Sequence, residues 1–180
     1  MIGQGIAKSG ATAERDAAFR RLADQHLESS YRLACAILRN PTEAQDATHD
    51  AFVQAWRRWS TLRDPARFEA WFHRIVVNTC RNRLKRAARW RIHDLSDDIP
   101  NPGRDPLVHT LERDALGAAI ATLSPDHQVV VALRFYRDLT VEDIASHLGI
   151  PAGTVNSRLH YAMKYLEAAL RDAEREGALR

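Results

Sequence analysis

Between Ile92 and Pro106 the chain gives up the means to build regular structure: Pro100, Pro102 and Pro106 flank Gly103, and Asp94, Asp97, Asp98 and Asp105 face a lone Arg104. Proline removes a backbone donor and fixes φ, and a run of like charge repels itself, so this stretch reads as a flexible acidic linker. It cuts 180 residues into two pieces, each long enough for one small helical unit and too short for a large enzyme domain. From Asp16 to Trp90 apolar residues recur at steps of three and four, without the alternating runs that signal a strand. The same period resumes at Leu107 and runs to about Ala173, broken at Ser124-Pro125, at Arg137-Asp138 and at Gly149-Ile150-Pro151. The expected fold is therefore all-α. It has a helical domain over residues 16–91, a linker over 92–106 and a second helical domain over 107–173, with a frayed leader at 1–15 and a frayed tail at 174–180.

Several function classes drop out on composition. The longest apolar run, Leu33–Leu38, falls far short of the roughly 20 residues of a membrane-spanning helix. Met1–Asp16 carries no apolar core of signal-peptide length. Cys35 and Cys80 are the only cysteines and form no Cys-x-x-Cys pair, which argues against a disulfide framework or a zinc site. A cytoplasmic, reduced protein without membrane insertion, metal or cofactor is expected. His26 with Cys35, or His73 with Cys80, are the nearest approach to metal-ligand pairs, and small core residues is the plainer account of both thiols. With no Gly-rich phosphate loop, no His-Glu-x-x-His and no paired nucleophile and base, catalysis is not expected.

The second helix, expected over about 42–60, places Ala44, Ala47, Ala51, Phe52, Ala55, Trp56 and Trp59 on one apolar stripe and leaves Asp46, His49, Asp50 and Arg57 off it. One face is core and the other, with unpaired acids, is available to a partner. The third is basic. Between Ala66 and Arg91 eight Lys/Arg stand against one Glu, a net +7, which leaves −4 for the rest of a chain whose total is +3. Phe68, Trp71, Phe72, Ile75 and Thr79 mark its inward face, and Arg74, Asn78, Arg81 and Lys85 follow one another along another face. Such a stripe suits a phosphate backbone, because each cation displaces counterions from it. A solvated helix face accounts for the same residues.

Leu139 to Leu159 carries the strongest local signal. Thr140 and Asp143 fit a capping box, Ile144 and Leu148 give the short helix an apolar face, and Gly149 supplies the left-handed residue that ends it. Pro151 sits at the entry to the next helix, which turns Val155, Leu159 and Ala162 or Met163 inward. Thr154, Asn156, Ser157 and Arg158 remain outward, able to bond phosphates or base edges as a recognition helix does in a major groove. An ordinary helical hairpin is the plainer alternative.

Taken together, residues 16–172 resemble the extracytoplasmic-function sigma factors of bacterial RNA polymerase, the sigma-70 class that keeps only sigma regions two and four. Tyr31-Arg-Leu-Ala, Ala44-Gln-Asp-Ala-Thr-His-Asp-Ala-Phe-Val-Gln-Ala-Trp56 and Phe68-Glu-Ala-Trp-Phe-His-Arg-Ile-Val-Val-Asn-Thr-Cys-Arg-Asn82 match that family in the first half. Leu123-Ser-Pro-Asp-His-Gln-Val-Val-Val-Ala-Leu133 and Gly153-Thr-Val-Asn-Ser-Arg-Leu159 match it in the second. The resemblance implies a promoter-specificity subunit with no catalysis of its own. Asp46, His49, Asp50, Val53 and Arg57 would dock on the clamp helices of the largest subunit of core polymerase, with the flap as a further contact. Arg74, Asn78, Arg81 and Lys85, with the loop at about Thr61–Arg67, would recognise and melt the minus-ten element. Thr154, Asn156, Ser157 and Arg158 would bind the minus-thirty-five element. It further implies an anti-sigma partner and an acidic linker threading toward the RNA path, although a plain spacer explains the same aspartates. The family often has Lys or Arg at Asn156, basic residues at Tyr161 and Met163, and Gln at His49, so fewer phosphate contacts are expected here. The competing expectation is a stand-alone helix-turn-helix regulator whose first domain senses a ligand or dimerises, and it has no need of the Asp46/Asp50 face.

Overall fold

The computed structural model describes residues 3–93 and 111–178, with side chains described for 14–90 and 115–175. Among these residues there are seven α-helices and no strand: α1 Gly3–Leu38, α2 Pro41–Arg58, α3 Phe68–His93, α4 Leu111–Thr122, α5 Pro125–Val131, α6 Val141–Leu148 and α7 Ala152–Ala178. Of the linker only Ile92 and His93 are described, as the end of α3. At both ends the described helices run past the expected domain bounds. The helix begins at Gly3 where a frayed leader was expected to residue 15, and α7 continues to Ala178 where a frayed tail was expected from 174. Extending a helix that is already packed needs no new nucleus, so each end is prolonged one residue at a time; at the C-terminal end the Ala, Arg and Glu residues favour it, and at the N-terminal end the extension runs through Gly3, Gly5 and Gly10.

Local chemistry fixes the boundaries. The Asn40 side chain accepts from the Glu43 N–H at 3.0 Å, and Pro41 fills the first helical position, where a missing N–H costs nothing. The second helix ends at Arg58, and Trp59–Thr61 and Pro65–Arg67 each form one 3₁₀ turn. Asp64 starts the latter by accepting from the Ala66 N–H. Ser124 caps α5, again with proline next, and Ala132–Tyr136 then opens into a π-helical turn, closed by the Arg137 N–H on the Ala132 carbonyl.

α1, α2 and α3 form a three-helix bundle. Ala44, Ala47, Ala51 and Ala55 are buried along α2 as expected, and their small side chains let Leu33, Ile37, Phe68, Phe72 and Val76 close over them. Burying one such large side chain contributes about 2–3 kcal/mol. Trp56 is a correction: it is 45% exposed and meets the bundle only edge-on, with its ring 5.1 Å from Phe19. The alanine stripe is narrow, and Phe19 and Trp59 already fill the end of the bundle that Trp56 would enter.

The two halves share a core. Val129 and Val130 of α5, Leu133 of the π turn, Ile144 of α6 and Val155 of α7 belong to the same buried cluster as Phe72, Val76 and Cys80. A smaller cluster of Ala119, Leu123, Val131, Ala162 and Leu166 joins α4, α5 and α7. Arg39, held at a φ of +54° just past α1, lays its guanidinium across Gly117 of α4, where any Cβ would run into it.

Candidate nucleic-acid interface

The helix-turn-helix forms as its residues dictate. The Thr140 hydroxyl accepts from the Asp143 N–H at 3.1 Å while the Asp143 carboxylate reaches back to the Thr140 N–H, a reciprocal capping box. Gly149 adopts φ +64° and ψ +38°, and the Ile150 N–H returns to the Ala145 carbonyl at 3.1 Å. The Pro151 carbonyl then takes the N–H groups of Thr154 and Val155. Val155 and Ala162 are buried and Leu159 half-buried, whereas Met163 is 46% exposed, so Ala162 takes the inward position. Asn156 and Ser157 are exposed, Thr154 is half-buried and the Ser157 hydroxyl donates to the Gly153 carbonyl.

Arg74, Asn78, Arg81 and Lys85 lie along one side of α3, as their spacing predicts, but in two different settings. Arg74 and Asn78 are exposed. Arg81 and Lys85, half-buried, turn onto Asp126 in the first turn of α5, Nε to Oδ1 at 2.7 Å and Nζ to Oδ1 at 3.3 Å. From α7, Arg158 reaches the other oxygen of the same carboxylate at 3.0 Å. Burial raises the Asp126 pKa, but the hydrogen bond from Arg81 and the charges of Arg81, Arg158 and Lys85 outweigh it and hold the acid below its ordinary value. Phe68 and Phe72 are buried and Trp71 half-buried against Phe68, so these aromatics are core, as their place on the apolar stripe implies.

A second pairing joins the halves through Arg137, after the π turn. Its guanidinium donates to Glu69 at 3.1 Å and lies 3.1 Å from His73 Nδ1, which therefore accepts. That hydrogen bond lowers the Glu69 pKa against an opposing effect of burial. Burial first, then the Arg137 charge, depresses His73 to about 4.

On the opposite side of the bundle Asp46, His49, Asp50, Val53 and Arg57 share one exposed face of α2. The acids are not unpaired, which corrects the expectation. Arg83 of α3 bonds Asp50 at 2.6 Å and Glu43 at 2.8 Å, and lies 4.0 Å from Asp46. Partial burial works against the Arg83 charge, yet the bonds to Asp50 and Glu43 prevail and raise its pKa. Arg83, Asp126, Arg137 and Glu69 form the charge pairs around the candidate sites that sequence reasoning missed. Their partners across the fold lie 32 to 68 residues away, and no local period signals such pairs. No cluster of ligating side chains fit for a metal occurs among the described residues.

The comparisons with known proteins agree on the two halves. The model of Sigma-70 region 2 matches residues 22–90, and that of Sigma-70, region 4 matches residues 119–168. The ECF RNA polymerase sigma factor SigL of Mycobacterium tuberculosis is 32% identical over 169 residues, covering 91% of this chain and 95% of the relative. The chain belongs to the ECF RNA polymerase sigma factors. A further ECF sigma factor, SigM of the same species, is 34% identical over 141 residues, covering 78% of this chain and 71% of the relative. Among solved structures, the sigma factor RpoE in complex with the anti-sigma factor NepR from Bartonella quintana aligns with a TM-score of 0.66 at 21% identity, over 85% of this chain and 96% of that one. CnrH in complex with the cytosolic domain of CnrY gives 0.60 at 24%, over 93% and 96%. These two likenesses establish the fold. As an ECF sigma factor the chain is a promoter-specificity subunit of RNA polymerase and not an enzyme, and the stand-alone regulator is set aside. Among the described residues no helix is long and apolar enough to cross a membrane.

Proposed function

We propose that this ECF sigma factor acts in the cytoplasm, with residues 16–91 serving as region 2 and 107–173 as region 4. Asp46, His49, Asp50, Val53 and Arg57 dock on the clamp helices of the largest polymerase subunit, and region 4 rests on the flap. Arg74, Asn78, Arg81 and Lys85 engage and melt the minus-ten element, and Thr154, Asn156, Ser157 and Arg158 bind the minus-thirty-five element. An anti-sigma protein restrains the chain, a reading supported by the fold shared with RpoE, which is held by the anti-sigma factor NepR. The observation that carries the reading is the α2 face: its alanines are consumed by the bundle, and the opposite side presents carboxylates and one exposed valine to solvent.

Arg83 supports that reading and refines it. A partner cation competes with Arg83 for Asp50, so docking exchanges one ion pair for another and gains orientation more than raw affinity. The test is a titration of labelled protein with bacterial core RNA polymerase at physiological salt, followed by fluorescence anisotropy. Tight saturable binding is expected, with loss of at least tenfold in affinity for Asp46→Arg combined with Asp50→Arg, while helix content by circular dichroism is retained. Equal affinity of the folded double variant refutes the assignment of this face.

A further inference from the structure

Three of the cations assigned above to promoter DNA are occupied by the protein itself. Arg81 and Lys85 come from one half, Arg158 from the other, and all three end on Asp126 at 2.7, 3.3 and 3.0 Å. The two carboxylate oxygens divide between them: Arg81 and Lys85 hold Oδ1 and Arg158 holds Oδ2. A carboxylate with both oxygens in contact with guanidinium and ammonium donors offers them the same charge and nearly the same acceptor geometry as the two free oxygens of a phosphodiester. The fit is incomplete in one respect: Arg158 Nη1 is buried without a hydrogen-bond partner among the described residues. A guanidinium with an unused buried donor is poised for a richer acceptor than Asp126 supplies.

The surroundings point the same way. A groove of about 510 Å³ runs alongside, with Lys85, Arg86 and Arg89 on the α3 wall and Ser124, Pro125 and Asp126 on the other. An incoming phosphate therefore reaches Lys85 along a basic wall before it meets the carboxylate. The other polar contacts named between the halves, Arg137 on Glu69 and Arg39 across Gly117, use none of the residues assigned to DNA. Of these contacts it is Asp126 that sets the closure of the two halves against DNA binding.

We propose that Asp126 is a built-in phosphate mimic, a carboxylate that occupies the cations of both promoter-binding surfaces and, together with the apolar core the halves share, keeps the free chain shut until DNA or polymerase parts the halves. This rests on the assignment of Arg81, Lys85 and Arg158 to DNA made above. If about 90% of free molecules are closed, apparent DNA affinity is lowered about tenfold.

The test uses the full chain and a labelled mixed-sequence duplex of about 30 base pairs at low salt, because phosphate contacts do not depend on sequence. Asp126→Asn is compared with Asp172→Asn, which removes the same charge from an exposed site on α7. The expected result is binding about tenfold tighter for Asp126→Asn and within about twofold of wild type for Asp172→Asn. Equal gains from both variants, or weaker binding by Asp126→Asn, overturn the proposal. Asp126→Lys, which repels all three cations, gives a second reading by small-angle X-ray scattering. A larger radius of gyration at unchanged helix content is expected, and an unchanged radius again overturns it. Core polymerase binding by the wild type, measured in parallel, separates the two levels. Its absence refutes the proposed function, whereas its presence without any Asp126→Asn effect refutes only the mimic.

Discussion

Acidification is expected to loosen the contact between the two halves through His73. This imidazole is 3% exposed and its Nδ1 accepts from Arg137; Glu69, His26 and His147 also face it. Its pKa falls from 6.5 to about 4, first through burial and then through the Arg137 charge. The folded state thus favours the neutral ring, so the stabilisation is complete above the unfolded value and declines as pH falls below 6.5 toward 4. Between pH 7.5 and 5.0 the loss is about 2 kcal/mol, reaching about 3 kcal/mol below pH 4. In a domain of this size that lowers Tm by about 4–8 °C at pH 5.0. Glu69 and Asp126, with lowered pKa values, act in the same direction, so the wild-type slope alone does not isolate the histidine. His73→Gln keeps an acceptor for Arg137 and removes the titration. Urea unfolding of both proteins across pH 5.0–7.5 should show the wild type losing about 2 kcal/mol more than the variant. Parallel pH profiles would refute the reasoning.

Two further outcomes rest on single residues. Gly149→Ala forces a Cβ into a φ of +64° and should cost about 1–2 kcal/mol with no change in the π turn before α6, read by thermal unfolding and by amide exchange confined to α6 and α7. Of the two thiols, Cys35 is half-buried and Cys80 buried, with burial pushing Cys80 up to about 12; in native protein at pH 8 a thiol reagent should titrate one group promptly and the second only after unfolding.

The fold was legible because its determinants are local. Thr140, Asp143 and Gly149 dictate a start, a partner and a stop within ten residues, and the alanine period of α2 names the buried side without reference to what covers it. The edges of that stripe were not legible. Whether Trp56 enters the core depends on Phe19, a residue of another helix, and whether Ala162 or Met163 turns inward depends on α4 and α5. The candidate site divides in the same way. That Arg74, Asn78, Arg81 and Lys85 share a side follows from helical geometry, but the capture of Arg81 by Asp126 spans 45 residues, and the cover of Arg83 over Asp50 spans 33. Charge-pair partners at such separations are selected by tertiary packing, which leaves no period in the chain.

The π turn at Ala132–Tyr136 has a meaning at the level of the gene. It carries one residue more than an α-helical turn would, and each helical residue rotates the next by about 100° about the axis. That surplus residue sets the phase between Val129 and Leu133 on one side and Ile144 and Val155 on the other, all of which meet in one cluster. An in-frame loss of a single codon between 132 and 136 would therefore shift the phase of α6 and α7 against α5, turning the reading head away from the body that carries it.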